Sequence, residues 1–314
     1  MGAHTATNKE GPVNRIATKR PERQRQAHRR LPIWLLLALL TLVPAVALAE
    51  TYKTIDCPDS SSTQAQDIND RGDIVGNCDV GSGSAHGFLL RHGAFTIIDV
   101  PGATATVAFG VNNRGDVVGR YTDTAGVLHG YLLRHGRFST IDPPGSVFTV
   151  ARGIDDLGRI VGFYIRSDEA LPGFILDSRG FNDIEYPGAV STAAEGINVL
   201  KRIVGAYADT DGVFHGFLLK KGVFTSIDPP GAAGAGAFGI NILGRIVGGW
   251  SHDPDCSDCF THGFLLTPRG FENLEVPGAS ETVATGINAL GQIVGTYVGE
   301  DEVFHGFLRD PDDQ

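Results

Sequence analysis

Methionine and tryptophan are scarce in this chain of 314 residues, which has one Met, two Trp and only 8% aromatic residues, whereas 42 residues are Gly. The apolar residues are mostly Val, Ile, Phe and Leu, a mixture that favours strands joined by tight turns over helices. We therefore expect an all-β fold.

The motifs of common hydrolases are also missing. The chain has no aspartate box of the sialidase kind, no serine-nucleophile elbow and no metal-protease helix motif. A glycan hydrolase or lyase also needs an acid and a base carboxylate in different environments. Because acidic residues lie mainly at turns, we predict a non-catalytic binding or scaffold protein. A glycan hydrolase or lyase is the alternative. If the chain forms a propeller, as the repeats described below predict, the site of such an enzyme would lie at the mouth of the central channel.

The chain has only one long apolar run, at residues 31–49, and a basic segment of residues 1–30 precedes it. It ends in Ala47-Leu48-Ala49, a pattern typical of a secretory signal peptide. We expect cleavage after Ala49 and a secreted or periplasmic protein. Retention as an anchor is the alternative, because about 19 apolar residues can just span a bilayer.

Positive charge is scarce in the predicted mature chain. Residues 50–314 contain 18 Lys and Arg against 34 Asp and Glu, a net charge of −16. Such a chain repels phosphate groups on average. We expect no nucleic-acid partner and, since no further apolar run follows, no membrane contact after cleavage.

What the chain has in abundance is repetition. The pattern Gly-Ile-Asn-x-x-Gly-x-Ile-Val-Gly occurs six times, at spacings of 43, 43, 43, 43 and 47 residues. His-Gly-Phe and Ile-Asp-x-Pro-Gly recur in step with it. The four extra residues fall in one insertion near 254–259. Three markers in one register indicate a tandem repeat of one structural unit.

Each unit is predicted to contain four short strands. In the second unit these are residues 104–112, 116–121, 129–134 and 137–142, separated by turn residues. Four strands in about 40 to 50 residues are typical of a propeller blade.

The chain ends predict how the ring closes. The sixth unit lacks a fourth strand, and residues 51–56 match the fourth strand at residues 137–142. An N-terminal strand that completes the last blade leaves no open edge. We therefore predict that residues 50–314 form one six-bladed β-propeller.

The three markers together resemble the HAF family of bacterial extracellular repeat proteins. The resemblance covers residues 51–309 and implies secretion and a propeller-like fold, but no activity, ligand or catalytic residue. Pro172 replaces the repeated His, and Lys201 replaces the turn Gly. We expect altered turns at both places.

Variation within a uniform repeat indicates where a ligand binds. One position of the innermost strand differs in every blade, which predicts that these residues line the axial channel: Gln66, Phe109, Arg152, Glu195, Phe238 and Thr285. A polar Arg152–Glu195 pair between aromatic walls suits a small polar ligand or a sugar. The interpretation that these side chains merely plug the axial channel is favoured over ligand binding. We include Trp250 among the ligand-binding candidates because it lies near the insertion.

Cysteines and acidic turns provide the remaining candidates. We predict a Cys57–Cys78 disulfide that clamps the closing strand, and a small disulfide ring between Cys256 and Cys259, with a zinc site as the alternative for the second pair. The repeated histidines are expected to bond turns within their own blades, with a metal ring as the alternative. No cofactor is expected, although the loops 209–212 and 253–255 have carboxylates suited to calcium. The expected partner is an extracellular glycan or protein, bound by a monomer.

Overall fold

The computed structural model describes residues 52–80, 84–253 and 260–311. These ranges contain 24 strands arranged in six antiparallel sheets of four strands each. The predicted all-β, six-bladed propeller is confirmed. None of the described residues forms a helix long and apolar enough to cross a membrane.

The first three blades follow one another along the chain. Blade 1 is formed by β2 (Ser62–Ile68), β3 (Ile74–Asp79), β4 (Ala85–Arg91) and β5 (Ala94–Ile98). Blade 2 is formed by β6 (Ala105–Val111), β7 (Val117–Thr122), β8 (Leu128–Arg134) and β9 (Arg137–Ile141). Blade 3 is formed by β10 (Ser146–Ile154), β11 (Ile160–Arg166), β12 (Gly173–Asp177) and β13 (Gly180–Ile184).

The other three blades include the one that joins the two ends of the chain. Blade 4 is formed by β14 (Ser191–Ile197), β15 (Ile203–Ala208), β16 (Phe214–Lys220) and β17 (Val223–Ile227). Blade 5 is formed by β18 (Gly234–Ile240), β19 (Ile246–Ser251), β20 (His262–Thr267) and β21 (Gly270–Leu274). Blade 6 is formed by β22 (Glu281–Ile287), β23 (Ile293–Val298), β24 (Phe304–Arg309) and β1 (Tyr52–Ile55).

The ring closes where the sequence predicts. The first strand, β1, pairs antiparallel with β24, and Thr54 lies opposite Phe307. Side chains reinforce the pairing: Lys53 Nζ lies 2.6 Å from an Asp310 oxygen, and His305 Nδ1 lies 2.9 Å from Asp56. All strands of the described residues lie between Tyr52 and Arg309, and the six sheets are built from these strands alone.

A belt of side-chain amides links each blade to the next. The Asn that follows β2 donates from Nδ2 to the carbonyl of the equivalent residue one blade on, Asn69 to Asn112 at 3.1 Å. The belt forms a closed ring, because Asn288 in blade 6 donates to the Asn69 carbonyl in blade 1 at 3.1 Å. In blade 3 the position is Asp155, whose carboxylate has no N–H, and Arg159 donates to the Asn198 carbonyl instead, at 3.3 Å.

The core lies between adjacent sheets. The third strand of every blade contributes one fully buried aromatic ring, namely Phe88, Tyr131, Phe174, Phe217, Phe264 and Phe307. A Cβ on the Gly of Ile-Val-Gly in the second strand would lie 2.0 Å from the Gln64 carbonyl of the inner strand and 2.8 Å from the Phe88 ring, in the case of Gly76. These two contacts explain why that glycine recurs.

Two faces of the ring need names. The lower face carries the hairpin turns inside each blade, between its first and second and between its third and fourth strands. The upper face carries the loops between second and third strands and the connections from blade to blade. Tyr52 pairs with Arg309 at the lower face, and the chain therefore enters the ring there.

Two departures from the repeat have different outcomes. The turn at Lys201 is not altered: Lys201 adopts the left-handed conformation of the glycines (φ 55°), and its N–H reaches the Asn198 carbonyl at 2.9 Å. The hairpin hydrogen bond keeps the turn closed, and the prediction for this blade was wrong. At Pro172 the blade does change, because β12 begins only at Gly173 and Leu171 forms an isolated bridge with Ser191.

The predicted disulfide between Cys57 and Cys78 is present, with a Cα–Cα distance of 6.3 Å. Cys78 lies at the end of β3 and Cys57 follows β1, and both are buried. The bond therefore joins the closing strand of blade 6 to blade 1. Cys256 and Cys259 lie outside the described residues.

Replacing both Cys57 and Cys78 with Ala should lower the free energy of unfolding by about 3 kcal/mol, because the disulfide closes a loop of roughly 20 residues in the unfolded chain. Chemical denaturation under oxidising conditions measures the change. Replacing Cys256 and Cys259 instead is the matched control and should cost about 1.5 kcal/mol less, because the loop that this predicted bond closes is much shorter. Equal losses from the two pairs would contradict the clamp.

Candidate functional site

The innermost strand of every blade contains a β-bulge at one position. In blade 1, Ala65 pairs with Gly76 and Asp67 pairs with Val75, so Gln66 is the extra residue. The same shift occurs in the other five blades. A bulge redirects a side chain and bends the strand. It explains how one residue per blade faces the axis.

These bulge residues are the six that vary between blades, and all line one cavity of about 190 Å³ on the axis: Gln66, Phe109, Arg152, Glu195, Phe238 and Thr285. The structure thus brings the six together as predicted. The channel at this level is not plugged, although their role in binding stays a prediction.

Charge in the cavity is concentrated in one ion pair. Arg152 on β10 donates from Nε to Glu195 on β14, across the boundary between blades 3 and 4. The Arg152 guanidinium also lies 4.3 Å from the centre of the Phe109 ring, a cation–π contact. The pair is therefore held by both neighbouring blades, and the Glu195 side chain is only 8% exposed.

A second guanidinium lies close to this pair. Arg120 on β7 is half-buried beside β6, opposite Val107. Burial lowers the pKa of Arg120 below its usual value, and the nearby positive charge of Arg152 lowers it further. Among the described residues Arg120 has no carboxylate partner, and it is not one of the residues that line the axial cavity.

Asp67 is the residue that the sequence analysis missed. It stands where the other five blades have the Gly of Gly-Ile-Asn, and it lies in the channel wall. Its carboxylate accepts hydrogen bonds from the N–H groups of Ile68 (2.8 Å) and of Val111 in the next blade (2.9 Å). Burial nevertheless raises the pKa of Asp67 to about 7. The replacement of the repeated Gly by Asp was the feature of the sequence that could have identified this residue.

Glycine is required at the equivalent positions because the inner strands converge there. A Cβ at Gly110 would lie 2.7 Å from the Arg152 carbonyl, and one at Gly286 would lie 2.8 Å from the Asp67 Cα. Only the bulge residues therefore have space to vary in size. Below them the channel continues into a second cavity of about 110 Å³, and Asp67 borders both cavities.

Trp250 does not belong to the channel, which corrects the sequence prediction. It is 5% exposed, and its ring lies 4.9 Å from His262. Residues alternate between sheet faces, and Trp250 occupies the position of Tyr121, which stacks on His129 at 5.1 Å in blade 2. The aromatic residue near the insertion that approaches the channel is Phe260, 5.5 Å from the Phe238 ring.

The repeated histidines bind carboxylates of their own blades. His129 Nδ1 lies 2.7 Å from Asp142, the Asp of the Ile-Asp-x-Pro-Gly marker, and Nε2 lies 3.5 Å from Asp123. Burial opposes the charged form of His129, but these carboxylates outweigh it and raise its pKa. The imidazoles are thus part of the blade structure.

Only one of the two loops that were predicted to suit calcium is fully described by the structure. Asp209 accepts hydrogen bonds from the N–H groups of Asp211 and Val213, both at 2.9 Å, so its carboxylate caps its own turn. Part of the loop 253–255 lies outside the described residues. Calcium at either loop stays a prediction.

A wider groove of about 400 Å³ opens on the upper face where Pro172 replaces the repeated His. It lies between blades 3 and 4, beside residues 170–172 and 185–192. Glu185 is its one charged lining residue, and Tyr186 stacks on Tyr207 at 3.6 Å beneath it. The groove lacks the converging charges of the axial cavity.

Known proteins resemble this chain in fold. No protein-family model and no curated protein matches it. Among solved structures, AofleA from Arthrobotrys oligospora is 14% identical, with a TM-score of 0.52, over 82% of this chain and 86% of AofleA. A variant of the Aleuria aurantia lectin in complex with Fucalpha1-6GlcNAc is 10% identical, with a TM-score of 0.50, over 79% of this chain and 91% of the lectin.

The Trypanosoma rangeli sialidase is 7% identical, with a TM-score of 0.54, over 83% of this chain and 60% of the sialidase. At such identities the likeness concerns the fold alone. It agrees with the propeller that the repeat predicts, whereas membership of the HAF family stays a prediction.

Asp67 should make the stability of the ring depend on pH. Because its pKa is about 7 in the folded chain and roughly 4 in an unfolded one, the unfolded state loses its proton first as pH rises. The free energy of unfolding should therefore fall between about pH 4 and pH 7, by at most about 4 kcal/mol.

Asp67→Gly, which restores the repeat, should remove this part of the pH profile in chemical denaturation. The comparison between variants cancels the histidines, which titrate in both. Asp168→Asn on an exposed loop is the control and should leave the profile unchanged. A wild-type profile that parallels that of Asp67→Gly would contradict the raised pKa.

Proposed function

We propose that this chain is a non-catalytic carbohydrate-binding propeller that acts outside the cytoplasm. The observation that carries the proposal is the axial cavity, where an ion pair and an aromatic ring from three neighbouring blades converge. Arg152 and Glu195 offer charged donors and acceptors for hydroxyl groups, and Phe109 offers an apolar face. Sites for small polar ligands combine such features.

The size of the cavity supports a small ligand. About 190 Å³ is below the roughly 300–1,000 Å³ typical of pockets for drug-sized molecules. One sugar residue, such as the end of a glycan chain, is a suitable occupant. The Aleuria aurantia lectin, which has a similar fold, is known in complex with a fucose-containing disaccharide, and this adds support for a glycan.

The cysteines and the predicted leader support an exported compartment. A disulfide persists in oxidising environments such as the periplasm or the extracellular space. The Cys57–Cys78 bond and the predicted signal peptide at residues 1–49 agree on export. We propose a secreted or periplasmic monomer.

A glycan array probed with the chain from residue 50 onwards tests the proposal. The double variant Arg152→Gln/Glu195→Gln removes both charges without leaving one buried alone. Its signal on any glycan bound by the wild type should fall about tenfold to a hundredfold, since a hydrogen bond to a charged group contributes roughly 1.5–3 kcal/mol.

Arg166→Gln and Glu300→Gln on the upper face are matched controls that should keep the wild-type signal. Thermal unfolding verifies that the variants fold. Glycan binding that survives the double variant, or no glycan binding by the folded wild type, would rule out the axial site.

A second function, glycan hydrolysis or lysis, is favoured by one observation. Asp67 and Glu195 line the same cavity in different environments: the pKa of Asp67 is raised by burial, whereas Glu195 is paired with Arg152. Carboxylates whose environments differ in this way are what acid and base catalysis on a glycan requires. Asp67 would be the acid.

Release of reducing sugar from the glycans bound on the array tests this alternative. An enzyme should lose activity about 100-fold or more in Asp67→Asn and in Glu195→Gln. Binding without turnover would exclude the enzyme and leave the binding protein. Turnover that neither variant changes would place the chemistry outside this cavity.

A further inference from the structure

Charge is segregated between the two faces of the ring. Of the 18 Lys and Arg residues after residue 49, 15 lie at the lower face, in its turns and at the adjoining strand ends. Eight described acidic residues share that face. The upper face has 18 described acidic residues and one basic residue, Arg166. The net charge of −16 therefore hides a lower face with an excess of positive charge.

Apolar side chains project from the same face. The first hairpin turn of blades 3 to 6 carries a leucine that is 55–65% exposed, and these are Leu157, Leu200, Leu243 and Leu290. Val199 and Ile242 beside them are 38% and 37% exposed. In blades 1 and 2 the equivalent positions are Arg71 and Arg114. The leucines thus occupy one side of the face in consecutive blades.

Unpaired cations surround these leucines. Arg71 and Arg114 on the other side lie 3.4 Å and 3.2 Å from the buried carboxylates of Asp73 and Asp116. In contrast, Lys220, Lys221, Arg202, Arg245 and Arg269 in blades 4 and 5 form no ion pair with any described residue. The side with exposed leucines is therefore also the side with available positive charge.

From this combination we infer that the lower face docks onto the surface of a lipid bilayer with anionic headgroups. Basic residues gain from the negative potential of such a surface, and leucines among them insert into the boundary between headgroups and acyl chains.

A second copy of the chain fits this face less well. Two lower faces repel each other through their positive charges. A lower face stacked on the acidic upper face, where Val147 and Val190 are exposed, is the competing arrangement that assembly without vesicles would reveal. A docked lower face leaves the upper face directed away from the bilayer. The inference does not depend on the proposed sugar site, and it replaces the expectation from net charge and apolar runs that the mature chain has no membrane contact.

Sedimentation with vesicles tests the inference, using the chain from residue 50 onwards, since this part contains all strands of the described residues. Vesicles of phosphatidylcholine with about a third phosphatidylglycerol should bind the chain, and vesicles of phosphatidylcholine alone should not. Binding should weaken steeply as salt rises, because screening shortens the reach of the surface charge.

Two pairs of substitutions separate the apolar and the charged contributions. Leu200→Ser/Leu243→Ser should reduce the partition coefficient about tenfold or more, through the loss of two inserted side chains. Lys220→Gln/Lys221→Gln should reduce it about 20-fold. The matched controls on the upper face are Val147→Ser/Val190→Ser, which are 54% and 62% exposed in the wild type, and Arg166→Gln. These should bind as the wild type does.

Three results would overturn the inference. The first is equal binding to both kinds of vesicle, or to neither. The second is a loss of binding in the upper-face controls as large as that in the lower-face variants. The third is assembly of the chain in the absence of vesicles that the leucine substitutions abolish, because that result would assign the face to contacts between copies.

Discussion

The pairing of β1 with β24 is the contact on which the rest of the molecule depends. It brings together residues more than 240 positions apart, and Thr54 and Tyr297 are joined across it by a hydrogen bond of 2.9 Å between their hydroxyls. Without it, blade 6 would have an open edge. The inner strand of blade 1, β2, would then not be held beside the inner strand of blade 6, β22. The axial cavity exists only because blade 1 and blade 6 are neighbours. The amide belt and the Cys57–Cys78 bond reinforce that same junction.

Closure also explains why chemistry is confined to so few positions. Around the axis, six inner strands approach one another so closely that five of them have Gly at the contact point. The bulge places one side chain per blade just beside that contact, where space is available. Within the channel, side chains can therefore vary only in this ring of six and in its immediate neighbours. Asp67 is the exception that introduces a carboxylate at the contact itself, and burial there accounts for its raised pKa.

Much of the fold could be predicted because each unit repeats the same pattern of strands, turn residues and buried side chains. The strands predicted over 104–142 agree with β6 to β9 within one or two residues, and the closing strand and the disulfide were both placed correctly. The bulge could not be predicted, since a run such as Ala-Phe-Gly-Val also fits a regular strand. Arg120 was missed because its role depends on its distance from Arg152, which the sequence does not contain. Trp250 was misplaced because the strand alternation was not applied to the position beside the insertion.

Net charge alone does not predict what this protein binds. It is a sum over the whole molecule, whereas a partner contacts one face. Here the carboxylates collect at the upper face, in the His–Asp pairs and the acidic loops, and the cations collect at the hairpin turns below. An acidic sugar that approaches from the upper face meets repulsion before it reaches Arg152, and the lower cavity is the smaller of the two. A neutral sugar pays no such electrostatic penalty, and its hydroxyls can bond both members of the ion pair. The axial cavity is therefore better suited to a neutral glycan end than to an acidic one.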